Sequence, residues 1–124
     1  MIIEDYVSFE NAKLLKEKGF KIPYDSFRGV YINGIFKRLN PGDCYGYNLG
    51  DEIVEVCSLQ MAMKWLREVH YLWIDIDPLT GYKWTWSIWF MNGPELKMGE
   101  SSQVISTYNE ACEAAIKYCL ENLI

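Results

Sequence analysis

In the stretch 72–77, Leu72, Ile74 and Ile76 alternate with Trp73, Asp75 and Asp77. On a strand this alternation puts both carboxylates on one face, an arrangement suited to a divalent cation or to acid–base work. The plainer reading is the wet side of an amphipathic strand with Lys83 as cross-strand partner. A metal site would want further oxygen ligands, and no other residue points to them. The single histidine, His70, falls at the end of a helical stretch, where a charged imidazole would meet the negative end of the helix dipole. A cysteine nucleophile would have to bring Cys57 or Cys44 to that histidine. Cys57 precedes a helix start, where a thiolate is stabilised, but Leu59, Met61 and Trp65 nearby favour burial. No phosphate loop follows a strand, and the glycine-rich stretch 42–50 carries Asp43 and Asp51 where phosphate would want amides and a lysine. No catalytic residue, metal ligand or cofactor is therefore assigned, and the sequence leans away from an enzyme.

The surrounding composition narrows the class. Of 124 residues, 50% are apolar and 15% aromatic, enough to offset the entropy of ordering one hydrophobic centre. A single domain over 1–124 is the expectation. The net charge of −5 makes nucleic acid a poor partner. No apolar run is long enough to span a bilayer, and Met1-Ile2-Ile3-Glu4-Asp5 lacks the order of a signal peptide, so a cytoplasmic protein is expected. Cys44, Cys57, Cys112 and Cys119 form no CxxC pair. Cys112 and Cys119, seven apart on one helix face, read as small core residues.

The elements follow from periodicity and caps. Ser8 caps a short helix that ends at Gly19. Asn33-Gly34 between β-rich runs predicts a two-residue hairpin turn. A short strand is expected at Ile53–Val56, after the loop of 40–50. Leu59, Ala62, Leu66 and Val69 mark the clearest helix, Leu59–His70. Strand 72–77, a turn from Pro78 to Gly81 and a return strand over 82–91 form a second hairpin. After a loop at 92–102, Thr107-Tyr108-Asn109-Glu110 is a capping box for the last helix. The order helix, hairpin, helix, hairpin, helix predicts an α+β fold, with three helices on one face of a mainly antiparallel sheet of about four strands. The two hairpin units show no residue-level repeat.

Several stretches carry a resemblance. Glu4-Asp5-Tyr6-Val7-Ser8-Phe9-Glu10 with Ala12-Lys13-Leu14-Leu15-Lys16-Glu17-Lys18-Gly19-Phe20 is similar to the start of a group of small uncharacterised proteins from gut bacteria and their phages. Gln60-Met61-Ala62-Met63-Lys64-Trp65-Leu66-Arg67-Glu68-Val69-His70 and the terminal 108–124, which opens Tyr108-Asn109-Glu110-Ala111-Cys112, resemble the same group. The likeness spans all three helices but neither hairpin. It implies a source, gut bacteria and their phages, and no activity; no residue role comes with it.

The tryptophans complete the picture. Trp84 and Trp86 share a strand face with Ile88 and Phe90 and should cap the core. Trp73 and Trp89 fall on the opposite face with Asp75, Lys83, Thr85 and Ser87, an aromatic and polar surface of the kind that binds partners. Base stacking there would need basic neighbours, and these are acidic. The leading expectation is a non-enzymatic interaction module that binds a protein partner or a second copy of the chain. The alternative is a small-ligand binder or minor enzyme whose pocket gathers His70, Asp75 and Asp77 near Tyr45 and Tyr47. A DNA mimic is disfavoured because the seventeen acidic residues are interleaved with lysines.

Overall fold

Asn33 and Gly34 have φ of 51° and 80°, the pair of positive values that a two-residue turn needs to match strand twist. In the computed structural model, which describes residues 5–22, 29–40, 46–91, 97–100 (backbone only) and 104–124, they join β1 (Gly29–Ile32) to β2 (Ile35–Arg38) with Ile32 opposite Ile35. The Asn33 side chain also reaches beyond its own turn. Its Nδ2 donates to Asp51 Oδ1 at 2.9 Å and its Oδ1 accepts from the Glu52 amide at 2.9 Å. This ties the hairpin to the start of β3 (Ile53–Val56), which pairs antiparallel with the other side of β1. The sheet order is β2-β1-β3.

Helix α1 (Phe9–Glu17) starts at Ser8, whose hydroxyl accepts from the Asn11 amide at 3.2 Å, and ends at Gly19 with φ of 92°. The amides of Lys18, Gly19 and Phe20 donate back to the carbonyls of Leu14, Lys16 and Leu15, so the last turn keeps few open acceptors. Ala12 and Leu15 are its buried apolar residues, and the helix packs against β3. These elements belong to the first of two compact units, Met1–Ser58; the second is Leu59–Ile124.

In the second unit α2 (Leu59–His70) buries Leu59, Ala62 and Leu66 and leaves Gln60, Lys64 and Glu68 wet, as its 3.6 period requires. It ends at Tyr71 with φ of 58°, a left-handed position that usually takes glycine. β4 (Leu72–Leu79) and β5 (Lys83–Phe90) then pair in register from Leu72 opposite Phe90 to Leu79 opposite Lys83. β6 (Lys97–Glu100) adds to the far side of β5, giving the order β4-β5-β6. Ile105 and Trp84 exchange backbone hydrogen bonds of 2.8 and 2.9 Å. Helix α3 (Tyr108–Tyr118) is capped by Thr107, which accepts from the Glu110 amide at 3.1 Å, and runs into a π-helical turn over Cys119–Leu123.

The α+β class holds, with three α-helices and antiparallel strands among the described residues. The sheet of about four strands is replaced by two sheets of three, because β3 and β6 each join the hairpin before them. The second turn also differs from expectation. Pro78 lies inside β4, on the edge of its sheet, where a missing N–H costs no ladder bond. The loop is 80–82, with Gly81 at φ of 80° and Tyr82 at 60°, so Tyr82 belongs to the turn and not to the return strand.

Candidate functional site

The face of β4 and β5 that packs on the helices is defined by burial. Leu72, Ile74, Trp86 and Ile88 are all under 9% exposed. The ring of Trp84 meets Tyr108 at 5.3 Å and that of Trp86 meets Tyr118 at 5.2 Å. Both partners belong to α3, so these two tryptophans take the core role expected of them.

Alternation sends the remaining side chains to the opposite face. There Trp73 stands directly across from Trp89, Asp75 from Ser87, Asp77 from Thr85 and Leu79 from Lys83. Lys83 thus faces Leu79, not either aspartate, because the turn lies two residues further on than Pro78 suggested. Trp73 is 41% exposed. Its Nε1 donates to Asp75 Oδ1 at 2.7 Å, and the Arg67 guanidinium, from the last turn of α2, lies 5.6 Å from its ring centroid. The indole is held from two sides and still presents part of its surface. Trp89 is half-buried, and its Nε1 is enclosed with no hydrogen-bond partner. Trp73, Asp75, Trp89, Phe90 and Met91 line a groove of about 450 Å³. The pairing of β5 with β6 slips in register at Ile88 and Trp89, an irregularity of the kind that re-aims a side chain. The face is not open throughout: Ser87, on the central strand, is 6% exposed, and Asp75 and Thr85 are half-buried. Trp73, Asp77, Leu79 and Lys83 are its exposed members.

His70, Asp75 and Asp77 do not converge. At roughly 3.4 Å per residue, Asp77 is about 17 Å along β4 from Leu72, the strand's first residue, and His70 precedes it. Tyr45 lies outside the described residues, and Tyr47 is exposed in the Met1–Ser58 unit. Among the described residues no cluster of three or more His, Cys, Asp or Glu side chains could hold a metal ion, and no helix is long and apolar enough to cross a membrane. Cys112 and Cys119 are fully buried in the core, and burial pushes the Cys119 thiol up to about 12. Cys44 lies outside the described residues.

His70 differs from its expected role as a charged helix cap. Its ring packs edge-on against Trp65 at 4.6 Å, its Nε2 is enclosed without a partner, and burial lowers its pKa from 6.5. A neutral ring is favoured at pH 7. With the folded pKa below the unfolded one, the unfolded chain binds more protons as acid is added. The stability contribution of neutral His70 is complete above pH 6.5 and declines as pH falls through the folded pKa. The thermal midpoint should therefore drop between pH 7.5 and 5.5, and His70→Phe should flatten that part of the profile. Equal pH profiles for the two proteins would show that His70 stays solvated.

Sequence reasoning missed a second concavity. In the Met1–Ser58 unit, α1, the stretch 19–22 and β3 enclose a cavity of about 690 Å³. Its lining comes from segments far apart in the chain, and its charged members, Lys16, Lys21 and Glu55, read individually as ordinary surface residues. The signal within reach was Cys57, an apolar-context cysteine directly after a strand. No protein-family model, curated protein or solved structure matches the chain.

Proposed function

We propose that the chain is a non-enzymatic protein-interaction module, of the kind a phage or mobile element supplies as an accessory, and that it works through the Trp73–Trp89 face of β4 and β5. The observation that carries this reading is the cross-strand pair itself. Two tryptophans stand opposite each other on the face turned away from α2 and α3, one of them 41% exposed, over a groove of about 450 Å³. Tryptophan and arginine beside each other are the residues most enriched where binding energy concentrates.

Charge favours a second copy as the partner. The chain carries −5 overall, but Arg67 and Lys83 balance Asp75 and Asp77 around this face. An isologous contact needs a surface that complements itself, and a balanced one meets its copy without net repulsion. Light scattering over a concentration series tests the reading, using wild type, the Trp73→Ala/Trp89→Ala double variant and the single variant Trp73→Glu, whose exposed position spares the fold. The expected result is a wild-type dimer and two folded monomers. A wild-type monomer at every concentration would exclude self-pairing. The module would then need a different protein that wild type captures and Trp73→Glu does not.

A further inference from the structure

The cavity of the Met1–Ser58 unit is separate from the tryptophan face and has its own chemistry. β3 forms one edge of the sheet β2-β1-β3, and two contacts clamp that edge. The Val7 amide donates to the Cys57 carbonyl at 3.1 Å, and the Lys16 ammonium donates to the Ile53 carbonyl at 3.0 Å. The cavity of about 690 Å³ lies along β3 and is lined by the residues of both clamps. That volume is within the range of pockets that take small organic ligands.

Its walls divide into an apolar interior and a charged rim. Phe20, Ile22 and Ile53 are half-buried and present its apolar surface, backed by the buried Val7, Ala12, Leu15 and Cys57, while Lys16, Lys21 and Glu55 are exposed. The helix end adds few open acceptors of its own, since the carbonyls of Leu14, Leu15 and Lys16 are satisfied by the turn that follows. Lys16 spends one of its three N–H groups on Ile53 and keeps a full positive charge beside the opening. Two lysines against one glutamate leave the rim at one net positive charge. This suits a single carboxylate, and Glu55 would repel a polyphosphate.

We infer that this cavity binds a small amphipathic monocarboxylate, with its apolar chain against Phe20, Ile22 and Ile53 and its carboxylate at Lys16 and Lys21. The test is a titration of the isotope-labelled full chain with decanoate and with decan-1-ol, followed by amide chemical shifts. Decanoate should give saturable shifts at Ala12, Leu15, Gly19, Ile53 and Cys57 and should bind more tightly than the alcohol. Lys16→Glu/Lys21→Glu should weaken decanoate about tenfold and leave the alcohol unchanged, and Glu55→Lys should tighten decanoate about threefold, as expected for partly screened rim charges. Because Lys16 also clamps β3, its loss could disturb the fold. Glu55→Lys alters an exposed side chain and carries the test alone if the double variant unfolds. Equal affinity for acid and alcohol, shifts confined to other residues, no saturable shifts, or charge variants that leave decanoate binding unchanged would each overturn the assignment.

Discussion

Trp86→Ala is expected to cost the Leu59–Ile124 unit about 3–5 kcal/mol, the usual loss when a large aromatic side chain is removed from a packed core. Trp86 is 7% exposed, pairs with Tyr118 at 5.2 Å and sits among Ile74, Ile88 and the buried face of α3. A loss of that size is a large share of the roughly 5–15 kcal/mol that holds a typical domain together. Trp73→Ala should behave differently. It removes a contact with Arg67 and a hydrogen bond with Asp75 at an exposed position, worth about 1 kcal/mol together. Chemical denaturation of the two variants measures the contrast directly. Comparable losses would mean that Trp73 is a core residue, and the two faces of the hairpin would then be wrongly distinguished.

Gly29→Ala is the second large effect, in the other unit. A methyl group at Gly29 would come within 2.5 and 2.6 Å of the Phe36 ring and 3.1 Å of the Lys37 carbonyl. Phe36 cannot swing aside freely, because its ring packs on Tyr6 and Tyr31, each at 5.4 Å. Overpacking of this kind costs about 1–3 kcal/mol. A double-mutant cycle identifies the cause: in a Phe36→Ala background, the same glycine substitution should cost much less. Simple additivity would place the strain in the backbone and not in the ring.

The parts of the fold that were legible in the sequence are those fixed by neighbours along the chain. Asn33-Gly34 announced its turn, Ser8 and Thr107 their helix starts, and the spacing of Leu59, Ala62 and Leu66 the buried face of α2. Strand partnership is decided by tertiary packing, and there the reading failed. Nothing in Ile53–Val56 says that it joins β1, or in Lys97–Glu100 that it joins β5. Pro78 read as a turn residue because proline usually breaks a ladder, and only the position of β4 at a sheet edge makes it harmless. The second role of Asn33, anchoring Asp51 and Glu52, was equally hidden, since it depends on β3 arriving beside the turn.

The candidate site divides in the same way. Period-two alternation was enough to separate Trp73 and Trp89 from Trp84 and Trp86, and the observed register places the first pair directly opposite each other. Burial could not be read from alternation alone: Ser87 shares the face of Trp73 and is only 6% exposed. His70 read as a cap because it ends a helix, and its packing against Trp65 follows from three-dimensional crowding. The cavity beside β3 was invisible because its lining is assembled from two stretches, 7–22 and 53–57, far apart in the chain.

The five indole N–H resonances, from Trp65, Trp73, Trp84, Trp86 and Trp89, followed as the isotope-labelled protein is diluted, test the central claim most directly. Self-association through the proposed face predicts that the Trp73 and Trp89 signals shift and sharpen together on dilution while the signals of Trp84 and Trp86, packed against α3, stay in place. Dilution that moves the Trp84 and Trp86 signals instead, or leaves all five unchanged from millimolar to micromolar protein, would contradict it.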